Sequence, residues 1–573
     1  MVVDTAGPRT RAGSPAPAER LYRWATFGVL AVALAIVLAT FQDYGVTWDE
    51  HYHDTYGKYL LAYYLSGFRD TAALTYHNLW LYGGAFDAPT ALAKRLLPFG
   101  DFETQHLMIA LTGLLGVLGC SRIAAFLGGA RAGFWAAVFL LLTPLWYGHM
   151  FNNPKDIPFA AGMTWALYYT IRAAPLLPNV PASLVARLGV ALGLAFGVRI
   201  AAVFALIYLA ITGLAWFAWR WQDGGRQTAI RELGQAVSRV VLPAGVIAYA
   251  IMLAAWPWAQ HGPFLRPFEA TWIFSHSPWD IDTLFEGRLV NSLHLPADYM
   301  AVYFAIKTPE IVLVLLALSA VLVAAALVRS RALPAWTEAG GHVVLGVAFL
   351  FPFLFFVAFR PVAYDCIRHF LFVFPAIAAI AALAFDRILD GIRTQPAAFR
   401  ASFAAVVLGY LGWHTTLMAG LHPDQYVYYN ALVGGVEGAQ TRFELDYWGN
   451  SYREAVKRLA AYVHDEERRT GVARTYQVMV CAEGTSAAYF FPKDMVLARN
   501  DREADFYLSV TRLGCDKEYD GDTIIAVERD DAVLSLVKDR RHLRASAPER
   551  LEERHVPGAM VEAEHPGLAP PTP

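Results

Sequence analysis

Three long apolar runs without a charged residue constrain this chain more than any other feature. They extend from Trp24 to Phe41, from Ile311 to Val328 and from Val343 to Phe359, the last followed directly by Arg360. A membrane span needs ~20 apolar residues. Inside lipid such a run can only be a helix, because every backbone N–H must be bonded within the segment. Composition agrees: 56% of the 573 residues are hydrophobic, 17% are charged, and mean hydropathy is +0.36. An ordinary soluble domain carries about 25% charge. With four Cys, a disulfide scaffold is excluded, as is disorder of the whole chain. Lys plus Arg is 47 and Asp plus Glu is 49, so the net charge of −2 gives no support for a nucleic-acid partner. The expected class is a polytopic α-helical membrane protein with a small C-terminal α/β extracytoplasmic domain.

Eleven spans are expected, over 24–41, 106–127, 132–148, 157–174, 184–198, 201–218, 240–257, 309–328, 342–359, 369–385 and 401–419. The stretch from Leu184 to Phe217 is divided at Arg199. The first run reads as a retained anchor, since its apolar stretch is longer than a signal core and no clear small-x-small cleavage site follows. Orientation follows from arginine placement. With residues 1–23 as a cytoplasmic tail carrying Arg9, Arg11, Arg20 and Arg23, the loops holding Arg131, Arg172 with Arg187, Arg220 with Arg226 and Arg231, Arg329 with Arg331, and Arg387 with Arg393 and Arg400 all fall inside. Residues 24–420 then form the membrane domain. Its outer side receives 42–105, the turn 152–156, Arg199, 258–307, 360–368 and everything after 420. Nearly every unusual residue cluster lands on this face.

From Leu421 the composition turns polar. Ser451 to Arg468 has helical periodicity, and Gln477–Cys481, Phe506–Val510 and Thr523–Val527 read as short strands. An α/β domain over 421–544 fits, followed by a disordered, Pro-, Glu- and Ala-rich tail over 545–573. Cys481 and Cys515 share this domain, either as a disulfide or as two buried thiols.

Four clusters could carry chemistry. Thr47-Trp48-Asp49-Glu50-His51 sets two carboxylates a few residues beyond the first span, as a base or metal ligand at a cavity rim or as a solvated loop with an interfacial Trp. Tyr52, Tyr56, Tyr59, Leu60 and Tyr63 then recur at helical spacing, either as a helix lying in the membrane interface or as core packing. His149-Met150-Phe151-Asn152-Asn153-Pro154-Lys155-Asp156 crowds four polar residues into a tight outer turn, where a snorkelling lysine is the plain alternative. Arg199, Arg360, Arg368 and His369, with Lys307 and His106, place positive charge at outer helix ends, against the usual inside bias. An anionic ligand, or salt bridges to Asp49, Asp156 and Asp365, would hold them. His422-Pro423-Asp424-Gln425-Tyr426 and Arg442 to Gly449 place aromatics beside acids, which suits sugar binding or, more readily, a domain packed on the membrane surface. Asp49, Glu50, His51 and His53 could ligate a divalent ion, though their spacing fits no standard site. There is no P-loop.

The Asp49-Glu50 pair straight after the first span resembles the GT-C superfamily of glycosyltransferases, and within it the bacterial relatives of the protein O-mannosyltransferases and the aminoarabinose transferase. The resemblance rests on Thr47-Trp48-Asp49-Glu50, Asn153-Pro154-Lys155-Asp156, Arg368-His369-Phe370-Leu371-Phe372 and the stretch Phe443 to Tyr452, in this order and on one face. It implies transfer of a sugar from a polyprenyl-phosphate donor at the outer face of the bacterial inner membrane. The acceptor is a hydroxyl of a glycan, lipid or protein. The resemblance maps the family's acids to Asp49, with Glu50 beside it, and Asp156. The C-terminal region is less typical of the family, which leaves acceptor recognition open.

The chemistry fits. A prenyl chain stays in the bilayer, so an enzyme using it needs many spans. Phosphate is already a good leaving group, so the carboxylate needed is a base, for which Asp49 is the first candidate. Asp156 would orient the acceptor or share a metal. Lys155, Arg199, Arg360, Arg368 and His369 would bind the donor phosphate. No covalent carboxylate step is apparent, so inversion is expected. No cofactor is required by these residues, and a divalent metal stays open. A transporter or flippase of lipid-linked glycans is the main rival. It would place charges near the bilayer midplane and often show paired broken helices, whereas these spans contain few such charges and no internal symmetry is visible. A non-catalytic scaffold is a third reading.

Overall fold

A computed structural model describes residues 17–276, 279–329 and 334–544. The expected disordered tail over 545–573, Arg9, Arg11 and Arg331 lie outside the described residues. The protein is predominantly helical, with a small C-terminal sheet. Each of the eleven apolar stretches contains a helix. By length and composition, however, seven helices among the described residues can cross a membrane, or eight if one bent pair counts as a span.

Three local features explain the difference from eleven. Ala182–Phe196 has only 15 residues, and Asp156–Ala173 is not among the helices apolar enough to span. Third, two expected spans fall in one helical run of 56 residues, Ile200–Ala255. Straight, it would be about 84 Å long, far more than the ~30 Å hydrocarbon core. It breaks at Gly225, whose φ of 76° lies in the left-handed region, so the run contains both expected stretches. The expected division at Arg199 is present: Arg199 is extended (φ −150°, ψ 133°) between Phe196 and the short turn Ile200–Ala202.

The bent pair is Ala130–Leu141 with Pro144–Asn152, turned by 67°. Pro144 causes it, because the residue before a proline is pushed out of the helical region, and Thr143 is extended with ψ 104°. The second leg packs against Asp101–Gly128. That helix offers glycines three residues apart. A Cβ at Gly113 would stand 2.6 Å from Met150 Cβ, and one at Gly116 would stand 2.6 Å from Trp146 Cζ2. Small residues here let the leg lie close. The bend thereby aims the turn 152–156 at the start of the helix Trp48–Leu65.

That helix carries the tyrosine stripe. Tyr56 and Leu60 are buried in a core with Trp80 and Trp256, Tyr52 and Tyr59 pack against it, and Tyr63 is buried with its hydroxyl donating to Gln260, so the stripe is core packing. The loop 258–307 holds a helix, Arg266–Ser275, an antiparallel hairpin of β1 (Asp282–Phe285) and β2 (Arg288–Asn291), and a helix, Tyr299–Lys307.

The C-terminal domain sets the helix Tyr452–Thr470 on a five-stranded sheet: β3 (Tyr476–Val480), β4 (Met495–Leu497), β5 (Phe506–Val510), β6 (Asp522–Arg529) and β7 (Ala532–Asp539). The order is β4-β3-β5-β7-β6, parallel on both sides of β3 and antiparallel on both sides of β7. Ala455, Val456, Leu459 and Val463 line the buried stripe of the helix. Cys481, after β3, and Cys515, beyond β5, are joined as a disulfide. Tyr426, Tyr447 and Trp448, in the linking segment, are buried between the domain and the membrane helices, so the aromatics of that cluster pack, while His422 and Asp424 line a cavity.

Candidate functional site

The helix Trp48–Leu65 starts at Trp48 because Glu50, three residues after Thr47, accepts the Thr47 backbone N–H at 2.8 Å. This is the carboxylate half of a capping box. Glu50 is fully buried, and its second oxygen lies 2.9 Å from His106 Nε2. Both oxygens of Glu50 are thus committed, one to the helix start and the other to His106 on the helix Asp101–Gly128.

Its neighbour Asp49 faces the other way. Asp49 is partly exposed and lines a cavity of about 60 Å³ together with Tyr52, His53, Tyr82, Lys155 and Tyr364. Lys155 Nζ lies 2.8 Å from Asp49 Oδ2. Burial alone would raise the Asp49 pKa, but the charges of Lys155 and Arg368 outweigh it and hold the carboxyl below its usual range. Lys155 mirrors this. Burial disfavours its ammonium form, yet Asp49 more than compensates and keeps it firmly protonated.

Asn153 shapes the turn. Its Oδ1 accepts the Asp156 N–H at 2.8 Å, and Pro154 removes a donor from the same bend. Asp156 is 1% exposed and accepts from three side chains: Arg199 at 2.5 Å, Arg368 at 3.1 Å and Asn153 at 3.1 Å. Arg199 reaches it from the break between Phe196 and Ile200. That break is filled from outside by the segment 83–85: a Cβ at Gly83 would meet the Gly197 carbonyl at 2.1 Å. Arg368, also 1% exposed, lies in the short helical turn Arg368–Val373. It bonds Asp365 Oδ2 at 3.1 Å through Nε and at 2.9 Å through a terminal nitrogen, and it packs against the rings of Tyr364 and Trp448.

The structure therefore brings together Asp49, Lys155, Asp156, Arg199 and Arg368 at helix ends, and the expected salt bridges to Asp49, Asp156 and Asp365 are all formed. His369 stands beside them, its ring 4.9 Å from that of Tyr364. Glu50 is placed in the helix cap rather than the cavity. Arg360 is not brought in: it is exposed and ends Trp336–Phe359 at φ 44°. Asp49, Glu50, His51 and His53 do not converge. Among the described residues, the trios of potential metal ligands are Cys481, Cys515 and Glu518, and His464, Glu467 and Asp494, neither of which includes a residue of this cluster.

Sequence reading misses the supports of the cluster. Arg512, just after β5, lies 2.6 Å from Asp365 Oδ1 and 3.6 Å from Glu444, and donates to the Tyr447 carbonyl at 3.0 Å. The C-terminal domain thus feeds a buried cation into the membrane domain's network. Glu444, also buried, is pushed up to about 7 by desolvation, against the pull of Arg512. Asp87 holds His53 at 3.0 Å on the far wall. A lone arginine in a loop carries no sequence signal of its own. Only the Asp365-x-x-Arg368 spacing hints that Asp365 is part of a charged network.

A sequence profile described as dolichyl-phosphate-mannose-protein mannosyltransferase matches residues 91–230, about a quarter of the chain. The match contains the turn 152–156 and Arg199, but neither Asp49 nor Arg368. No curated protein matches the sequence. Among solved structures, ArnT from Cupriavidus metallidurans bound to undecaprenyl phosphate is 14% identical, with a TM-score of 0.47 over 90% of this chain and 98% of that one. The oligosaccharyltransferase AglB from Archaeoglobus fulgidus is 12% identical, with a TM-score of 0.47 over 85% and 69%. The arabinosyltransferase EmbB from Mycobacterium smegmatis is 18% identical, with a TM-score of 0.36 over 67% and 32%. Over residues 91–230 the chain is therefore similar to the mannosyltransferase family that the profile describes, membrane glycosyltransferases of the GT-C superfamily that its motifs resemble.

Proposed function

We propose that this protein transfers a sugar from a polyprenyl-phosphate donor to an acceptor hydroxyl at the outer face of the bacterial inner membrane, with inversion at the anomeric carbon. One observation carries the proposal: Asp49 and Lys155 are paired at 2.8 Å in a cavity, with Arg199 and Arg368 held behind them by Asp156. A base and a phosphate-binding set thus adjoin where apolar helices end.

In this reading the acceptor oxygen attacks the anomeric carbon as the bond to the phosphate oxygen breaks. The acceptor proton passes to Asp49, and polyprenyl phosphate leaves with the bonding electron pair. Lys155, Arg199 and Arg368 offset the charge that develops on it. They supply positive charge of the kind a divalent ion provides in other phosphate sites. Asp156 positions the two arginines, and Glu50 fixes the helix start that aims Asp49. A carboxylate held low by Lys155 is a poor base. Donor phosphate competes for the same ammonium, so its arrival loosens that pair and raises the proton affinity of Asp49 when a base is needed.

Release of free polyprenyl phosphate tests this. Purified wild type and Asp49→Asn are given a panel of polyprenyl-phosphate sugars with crude envelope acceptors. Wild type should release the lipid, and Asp49→Asn should be slower by about 10²–10⁴-fold. Equal release by both removes Asp49 from the base role. No release from any donor, together with lipid translocation in vesicles, would favour the flippase.

A further inference from the structure

A second and larger cavity, of about 260 Å³, lies where the C-terminal domain meets the membrane helices. Its floor is Asp43, three residues past the helix Pro17–Thr40, with His422 and Asp424, just past the helix Ala397–Gly420. Its roof is the first turn and a half of Tyr452–Thr470, which contributes Arg453, Glu454 and Lys457. Asn450 forms one wall. Drug-sized ligands occupy pockets of about 300–1,000 Å³, so this space suits one small polar ring.

Donors and acceptors alternate around it. The Asp43 carboxylate faces the His422 ring at 3.2 Å, and Arg453 donates to the Asp43 carbonyl at 2.8 Å. Asp424 is fully buried and held by Asn450 at 2.5 Å and by Arg529 at 2.9 Å. Arg529 also holds Glu454 at 2.6 Å. Lys457 lines the cavity, has no hydrogen-bond or ion-pair partner among the described residues, and feels the charges of Arg453, Asp43 and Glu454. A simple anion would face the carboxylates of Asp43, Asp424 and Glu454, and an apolar group would leave Lys457 without a partner. Hydroxyl groups, each a donor and an acceptor, match both signs at once.

Asn450 joins this cavity to the chemistry. Its Oδ1 accepts from Gly45 N–H at 2.9 Å and from Asn152 Nδ2 at 3.1 Å, and the Asn152 carbonyl lies 3.0 Å from Thr47 Oγ1. The wall of the cavity is thus tied to Thr47, which caps the helix carrying Asp49.

We propose that this cavity is a carbohydrate subsite that holds one sugar ring of a glycan acceptor, away from the reacting hydroxyl. The proposal rests on the transferase reading for the word acceptor, and on the cavity alone for the sugar. Its test is saturation-transfer NMR on the detergent-purified full chain. The probes are free glucose, mannose, galactose and N-acetylglucosamine, each with and without inorganic phosphate. At least one sugar should give a signal that phosphate does not displace. Lys457→Ala and Asp43→Asn, both at exposed or half-exposed positions, should each weaken that signal about tenfold, with wild-type thermal unfolding showing that the fold is kept. Signal from no sugar, wild-type signal in both variants, or displacement by phosphate would overturn the subsite. Polyprenyl phosphate release by wild type is scored separately. Its absence would sink the transferase reading while the sugar signals still decide the subsite.

Discussion

Ionisable side chains in this protein divide by whether a cation or the low dielectric wins. At Asp49 the cations win and the carboxyl titrates low. At Glu444, 2% exposed, burial wins and the carboxyl rises to about 7. An unfolded Glu titrates near about 4.3. A pKa raised on folding contributes stability that is complete below that value and is lost as pH rises through about 7. Asp424, also raised to about 7 by desolvation, adds in the same direction. As pH rises from 5 to 7 these two carboxyls therefore withdraw stability, a fall read by thermal unfolding of wild type and variant side by side. Glu444→Gln keeps the shape without the charge and should flatten that fall by on the order of 2–3 kcal/mol. An unchanged slope would mean that Arg512 fully compensates the buried charge. Sequence exposed the charged residues themselves, because Lys155, Asp156, Arg199 and Arg368 stand out beside apolar runs. It could not say that Glu444 is dry, since its burial depends on Leu284 and Arg512, about 160 and 70 residues away in the chain.

At the scale of elements, the stretch after β5 matters more than its length suggests. Arg512 neutralises Asp365, which in turn holds Arg368 against Asp156. Arg512→Ala would leave Asp365 and Glu444 short of a cation in a water-excluded interface. Breaking one side of a buried pair costs about 3–5 kcal/mol, so this variant should unfold at clearly lower temperature. Arg360→Ala, exposed and outside the network, should stay within about 0.5 kcal/mol of wild type. Equal behaviour of the two would mean that the C-terminal domain does not brace the cluster. The apolar runs could be read as helices because length and hydropathy are local properties. The 67° bend at Thr143–Pro144 and the fusion of two stretches into Ile200–Ala255 depend on what packs alongside, and strands as short as Met495–Leu497 give too few residues for a period-2 pattern.

At the scale of the whole molecule, the proposed chemistry requires one orientation. The cluster, both cavities and the C-terminal domain sit at the ends of helices whose opposite ends carry Arg131, Arg220 and Arg393. In the proposed reading, positive-inside bias would put those arginines in the cytoplasm and the cluster outside. The native cysteines make this testable with a membrane-impermeant thiol reagent. Cys120 and Cys366 are buried, and Cys481 and Cys515 are joined to each other, so the background should be low. Arg468→Cys, on the exposed face of Tyr452–Thr470, should react in intact cells whose outer membrane is permeabilised. Arg226→Cys, beside the break at Gly225, should react only after the inner membrane is opened. The reverse pattern would put Asp49 and Lys155 in the cytoplasm and require a donor presented on the inner leaflet. The same charged ring would then have to work against the arginine bias that otherwise orients every loop.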